Sequence, residues 1–437
     1  MAEFSVELPE LTDDSIKHLK VGFVLRHGPF KYLWFSQVLS QLAGHVLNFS
    51  LVIILYERTH SNALVSILVA LISIPPIFFS SLAGVYADNF NRKYILFLSN
   101  ISRCLIALAI LFFNQYALAL LIIAFVISTI SQFFGPAESS SIASLVHRKG
   151  YFSANSLFVF TTYTAFLIGY SLAGPALQFL GETTTFLILI GMFGLASVMN
   201  IILPPIKKHL EHKGGRSLAE RAFGSLRKEM QEGLHFIRGN RFLLVVILLF
   251  SAVFSFERAI ISLLPDLARN VFRYSIDELS YFIITPAGIG AFFGAIIANW
   301  LKSRIEKTTI VLWGMLIASV TLMLFPLYKT ADMFSTGRGD LVIFVALLAL
   351  LSGLGDVFVI IAGQTLIHEQ TSEHTRGRVF GFLVTLMNLV GLPLILIVGF
   401  LGNRVPVVTI IFGIGVLMTA LIVLSTAQFR RLARTVG

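Results

Sequence analysis

Apolar residues run through this chain in stretches too long for the core of a small domain, broken by short polar clusters. Twelve stretches fall near 32–56, 62–87, 94–113, 117–138, 152–179, 184–204, 242–264, 279–301, 308–328, 341–367, 377–401 and 405–427. Each is close to the roughly 20 residues a helix needs to cross a bilayer. Within lipid, a helix satisfies its backbone hydrogen bonds inside its own segment. The pattern predicts an all-α membrane protein with twelve transmembrane helices. Tyr32, Trp34 and Tyr56 fall at span ends, where amphipathic aromatics favour the membrane interface.

One connection is long and polar. Pro204-Pro205 stop the sixth stretch, and Ser217-Leu-Ala-Glu220 reads as a capping box. Leu218, Ala222, Leu226, Met230 and Leu234 then recur every four residues, which predicts an amphipathic helix lying on the membrane surface. The expected layout is a cytoplasmic tail (1–30), a six-helix bundle (31–204), an amphipathic cytoplasmic linker (205–241), a second six-helix bundle (242–428) and a cytoplasmic tail (429–437). Ile16, Leu19 and Phe23 give the first tail an apolar stripe.

Of the 437 residues, 56% are hydrophobic and 13% charged, with a mean hydropathy of +0.84. The net charge of +10 does not point to nucleic acid, because the bases are sorted by side. Of the 33 Lys and Arg residues, 25 lie in segments on the side of the N-terminus and six in the opposite loops. Arg103 and Arg258 lie within spans. This asymmetry predicts that both termini are cytoplasmic. The first 30 residues lack the apolar run of a signal peptide.

Cys104 is the single cysteine, so no disulfide forms within the chain and no Cys metal site can be built. There is no Gly-x-x-x-x-Gly-Lys-Ser/Thr loop for ATP, no His-Glu-x-x-His and no Gly-x-Ser-x-Gly. The expectation is therefore no enzyme, no cofactor and no metal. His368-Glu369 and Glu373-His374 read as a solvated loop.

The loop between the second and third stretches reads Gly84-Val-Tyr-Ala-Asp88-Asn-Phe-Asn-Arg92-Lys93. In pattern and position it resembles the signature loop of the major facilitator superfamily. Gly290, Gly294 and Ala298, followed by Lys302 and Arg304, look like its degenerate copy in the second half. The segments 30–37, 83–88, Gly135-Pro-Ala-Glu138, Ser153-Ala-Asn155, 233–238 and Arg376-Gly-Arg-Val-Phe-Gly381 resemble landmarks of the branch holding macrolide-efflux and enterobactin-exporter-like proteins. Lysophospholipid transporters look similar around the Pro-Ala motif. In the fifth stretch Gly169-Tyr-Ser-Leu-Ala-Gly174-Pro175 keeps a bending element, but Gln178-Phe179 replace expected glycines, which weakens the case for proton antiport.

The resemblance implies two pseudo-symmetric six-helix bundles in a bacterial cytoplasmic (inner) membrane. They would export a small amphipathic molecule, a drug or siderophore, by alternating access, with protons as an optional coupling ion. A lysophospholipid flippase, or a membrane sensor or scaffold on a transporter fold, is the alternative. The partners expected are a small-molecule or lipid-like substrate and the bilayer.

Candidate residues follow. Gly84 is expected to admit a close helix neighbour. Asp88 and Arg92, beside Lys93, are expected to form a cytoplasmic latch with the start of span eleven near Arg376. Charges inside spans need a partner or a wet cavity. That makes Asp356, Glu257, Arg258, Glu138 and Arg103 the ion-coupling candidates, with Glu257–Arg258 and Arg103–Glu138 as pairs. Gln37, Gln41, His45 and Asn48 share a face of span one expected to line the cavity, and Gln364 faces them from span ten.

Overall fold

A computed structural model describes residues 28–146, 150–206, 240–272, 280–328, 338–371 and 373–436, with isolated positions between. The first half forms α1 (Gly28–Thr59), α2 (Asn62–Asn89), α3 (Arg92–Phe113), α4 (Ala117–Leu145), α5 (Tyr151–Pro175) and α6 (Gly181–Ile202). The second forms α7 (Arg241–Asp266), α8 (Thr285–Leu301), α9 (Lys307–Leu324), α10 (Arg338–Glu369), α11 (Glu373–Gly402) and α12 (Val407–Val436). Wider π turns extend α5 over Ala176–Leu180 and α7 over Leu267–Phe272, and precede α8 over Ser280–Ile284. The residues expected to form the linker helix, its capping box and the first tail lie outside the described residues. α12 continues as helix to Val436, so most of the expected C-terminal tail is helical.

Local chemistry sets the helix starts. Ser61 Oγ accepts from Leu64 N at 3.3 Å, Asn91 Oδ1 from Lys93 N at 3.2 Å and Asn240 Oδ1 from Leu243 N at 3.1 Å. Each cap satisfies an amide the helix leaves unpaired. The apolar run from Ser153 to Ile202 is 50 residues long, which as one straight helix would reach about 75 Å. It is two spans. Gly181, at φ +77°, turns the chain in a backbone region open to glycine. Ala154 and Leu203 consequently share one cluster with Phe30, Leu33, Ala87, Leu96 and Phe134.

That cluster marks the end of the bundle bearing the Lys- and Arg-rich connections, here the basic end. The opposite, sparse end carries the α1–α2, α5–α6 and α11–α12 turns. Arg58 pairs there with Glu182 at 2.7 Å, and Asn403 Oδ1 accepts from Asn62 N at 3.1 Å. α3, α5 and α11 end here and α2, α4, α6 and α12 begin here, so the spans alternate as their charge pattern requires.

The two halves repeat one packing scheme. α1 packs on α5 and α6, α2 on α4, and α3 on α4 and α6. In the same way α7 packs on α11 and α12, α8 on α10, and α9 on α10 and α12. Two seams join the bundles, α2 with α11 and α5 with α8, and the repeat exchanges one for the other. Large apolar side chains such as Phe112, Leu118 and Val423 stand on the perimeter, 64–70% exposed, the arrangement expected where lipid is the solvent.

Candidate functional site

The intramembrane charges form one group in each bundle. In the first bundle, Arg103 on α3 is buried. Its guanidinium donates to Ser40 Oγ on α1 at 2.6 Å and to Ser131 Oγ on α4 at 3.0 Å, and lies 4.6 Å from the Phe134 ring centre. Ser40 in turn donates to Asn100 Oδ1 at 2.7 Å. Glu138 on α4 is 6% exposed, with Gln41 reaching its carboxyl and its Oε1 lacking a hydrogen-bond partner. Arg103 and Glu138 act on each other electrostatically, but no ion pair within 4 Å joins them. The expected pairing is thus corrected: serines and an aromatic face hold the guanidinium.

His45 and Asn48, about two and three turns further along α1, differ from Gln37. Gln37 is 1% exposed and its Nε2 donates to Phe158 O at 3.1 Å and Thr162 Oγ1 at 3.0 Å. It pins α1 to α5 and does not line a cavity. His45 packs between Phe166 and Tyr170, ring centres 5.4 and 5.9 Å away, with its Nε2 buried and unpartnered. α5 approaches this closely because Gly169 faces His45 Cβ, where a methyl group would stand 2.6 Å away. Asn48 and Gln364 are half-buried.

In the second bundle, Arg258 on α7 donates to Asn388 Oδ1 on α11 and to Ser73 Oγ on α2, both at 2.8 Å. The second bond crosses to the other bundle. Glu257 is within electrostatic reach of Arg258, but no ion pair within 4 Å joins them. Asp356 on α10 has Glu257 as its electrostatic neighbour and is half-buried. Two carboxyls from different helices therefore share one low-dielectric region with one guanidinium, whose strong hydrogen bonds go to neutral acceptors. An unpaired buried carboxylate is costly in such a region.

Tyr170 connects the two groups, and sequence reasoning missed it. Its ring lies 5.2 Å from Phe49 and beside His45, while the charges of Arg258 and Glu257 act on its hydroxyl. The signal was its place inside Gly169–Pro175. Asn388 and Ser73 were missed because a neutral polar residue in a span gives no sign of which helix it faces.

The bundles are tied together at the sparse end. Tyr56 OH donates to Asp266 Oδ1 at 2.7 Å, Arg269 meets His60 at 2.8 Å, and Asn62 Nδ2 donates to Gly402 O at 3.0 Å. Ser280 Oγ accepts from Gly174 N at 3.1 Å and donates to Tyr170 O at 3.2 Å, joining the Gly-Pro element of α5 to the start of α8. Tyr56 is 1% exposed, so it belongs to this closure and not to the lipid interface as its position suggested. Trp34 likewise spends its indole N–H on Thr161 Oγ1 at 2.9 Å.

At the basic end the signature loop is held within its own bundle. Arg92, 5% exposed, donates to Ala87 O at 3.1 Å, Ser140 O at 2.9 Å and Ser144 Oγ at 3.0 Å. Asp88 lies 3.8 Å from Arg92 with its side chain 53% exposed. Lys93 stands 5.9 Å from the Tyr94 ring. Arg376 is in the first turn of α11, its side chain outside the described residues. Gly84 has open space where a Cβ would be, unlike Gly290 and Gly294, which face the α10 backbone at Leu350 and Leu354. The expected close contact at Gly84 is therefore missing here. The bonds from α2 to α11 and α7 come from its other end and middle, at Asn62 and Ser73. Glu369 pairs with Lys307 at 2.6 Å and the His368 ring lies 4.5 Å from Phe380.

Solved structures share this architecture at low identity, which speaks to fold alone. A POT family transporter in complex with 5-aminolevulinic acid superposes with a TM-score of 0.71 at 12% identity, over 93% of this chain and 98% of the other. The nucleoside transporter NupG gives 0.63 at 14%, over 91% and 99%. Among curated proteins, the uncharacterized MFS-type transporter YkuC of Bacillus subtilis is 23% identical over 414 residues, 90% of this chain and 91% of that one. The putative bacilysin exporter BacE of Bacillus subtilis is 26% identical over 361 residues, 80% and 83% respectively. The profile of the Major Facilitator Superfamily matches residues 33–392, from α1 into α11. This chain is a multi-pass membrane transporter protein belonging to the major facilitator superfamily.

Proposed function

We propose that this protein exports a small amphipathic organic molecule across a bacterial cytoplasmic membrane, driven by protons, with both termini cytoplasmic. The carrying observation is the chain of ionisable side chains crossing from bundle to bundle: Glu138, Arg103 and His45 on one side, Glu257, Arg258 and Asp356 on the other, with Tyr170 between them. Alternating access places substrate and coupling-ion sites near the midplane between repeats. Asp356 and Glu257 would carry the proton, because their region holds two carboxyls and one guanidinium. Gln41, His45, Asn48 and Gln364 would contact substrate. With the sparse end closed, the state seen would open toward the basic, cytoplasmic end, and Asp88, Arg92 and Arg376 would act when that end closes.

The branch with macrolide and siderophore exporters, suggested by the sequence landmarks, and the relative named as a putative bacilysin exporter both favour an exported product over an imported nutrient. The test is transport in sealed proteoliposomes under an imposed pH gradient, with a panel of dyes, siderophores, small peptides and lysolipids. Asp356→Asn and Glu257→Gln should each abolish the dependence on the gradient. Unchanged gradient-driven transport in both variants would remove the proton-carrier assignment. Absence of movement for every compound would favour a sensor or scaffold role.

A further inference from the structure

Glu138 stands apart from the other two intramembrane acids. It lies about 10 Å of helix before the end of α4 at Leu145. Arg92, at the basic end, reaches Ser140 and Ser144 on the same stretch of α4. Glu257 lies about 24 Å into α7 from that same end. Glu138 is therefore nearer the basic end than the group of Glu257 and Asp356. Its carboxyl is buried, and its Oε1 has no hydrogen-bond partner. A buried carboxylate keeps its charge only where a cation or several N–H groups hold it. The charge acting on Glu138 is Arg103 on α3, whose guanidinium is turned instead to Ser40, Ser131 and the Phe134 ring. His45 on α1 lies within the field of Arg103 in turn.

We infer that Glu138 is a second proton-binding group of the transport cycle, serving the basic end, and that Arg103 is the cation that displaces its proton. This rests on the proton-driven reading above and adds a carboxyl beyond Asp356 and Glu257. In the state seen, the carboxyl is the neutral acid. Gln41 suits both forms, since its amide offers an N–H to a carboxylate and a carbonyl to an acid O–H. Neither serine is stranded when the guanidinium leaves. Ser40 keeps its bond to Asn100 Oδ1 at 2.7 Å, and Ser131 keeps its bond to Ile127 O at 2.8 Å. Arg103 then pairs with the carboxylate, the acid O–H bond breaks, and the proton passes to water at the basic end. The reverse step takes a proton from water and returns Arg103 to the serines.

The test is isotope-edited infrared spectroscopy of the full-length protein in proteoliposomes. Cell-free synthesis with side-chain-labelled glutamate keeps Asp356 silent. The carbonyl band of a protonated glutamate should be present at neutral pH. Glu138→Gln should lose a component of that band which Glu257→Gln retains. Glu138→Asp, which keeps a carboxyl but carries no label, should lose the same component, and it decides the question if Glu138→Gln does not fold. Ser40→Ala combined with Ser131→Ala removes the acceptors that hold Arg103 away, so the Glu138 component should be lost there as well. A purely structural role for Arg103 would leave it in place. A band that survives both Glu138 variants unchanged, or one that the double-serine variant keeps in full, would overturn the proposal. The measurement needs no transport, so its failure leaves the exporter reading and the assignment of Asp356 and Glu257 standing.

Discussion

Replacing Arg258 with methionine measures the strength of the α2–α11 seam. Methionine keeps much of the bulk and removes both 2.8 Å bonds, to Ser73 Oγ and Asn388 Oδ1. A hydrogen bond from a charged donor contributes about 1.5–3 kcal/mol, and only the bond to Ser73 crosses between the bundles, so about that much is lost from the seam in gross terms. The guanidinium also no longer has to be desolvated, which offsets part of that loss. Both partners keep a local bond, Ser73 to Val69 O at 2.9 Å and Asn388 to Val384 O at 2.8 Å, which limits the damage to the bundles themselves. A net loss of about 1.4 kcal/mol is a shift of about ten-fold between states closed and open at the sparse end. Spin labels at Gln115→Cys and Arg404→Cys, exposed on opposite bundles at that end, can be read by pulsed dipolar spectroscopy in a Cys104→Ala background. Arg258→Met should add a longer-distance population, and Arg258→Lys a smaller one. Distance distributions identical to those of the parent would refute the reasoning, and Arg258 would then be a bystander of the seam.

Asp88→Asn should change unfolding temperature little, because a 3.8 Å pair with a half-exposed acid contributes less than about 1 kcal/mol. Arg92→Ala should lower it clearly in the same thermal scan, since the bonds of a buried guanidinium to Ala87 O, Ser140 O and Ser144 Oγ are lost. Gln37→Leu should destabilise by about 1–2 kcal/mol in a denaturant titration yet leave substrate affinity unchanged, whereas Gln41→Leu should alter affinity. Gly169→Ala should separate α1 from α5 and cost about 1–3 kcal/mol by overpacking against His45, measured as a fall in thermal stability. Tyr56→Phe should raise the reactivity of a cysteine placed at Asn270, because the hydroxyl that ties α1 to Asp266 is gone.

The helices were legible because the bilayer imposes length and backbone satisfaction on every span. The twelve apolar stretches match the twelve helices to within a few residues at most ends. The site was legible in its charges and obscure in its neutral partners. Asp356, Glu257 and Arg258 announce themselves, since a charge in lipid demands an explanation. A glutamine or tyrosine requires a partner without saying which. Gln37 and Tyr56 were therefore assigned to cavity and interface, while both bind neighbouring helices. Gly84 illustrates another limit: a sequence carries every state of the cycle, and a structure holds one.

Each packing unit contains six helices, an even number. A chain that crosses the membrane six times returns to the side on which it began, so the second copy enters in the same orientation as the first. The repeat axis then runs along the membrane normal, as in parallel-repeat transporters. Doubling an ancestral half would therefore have required no reversal of its insertion signals, and the same lysine and arginine placement would have served both copies. The degenerate loop at Lys302 and Arg304 keeps those charges while losing the acid. The cue for insertion has thus outlasted the duplicated chemistry.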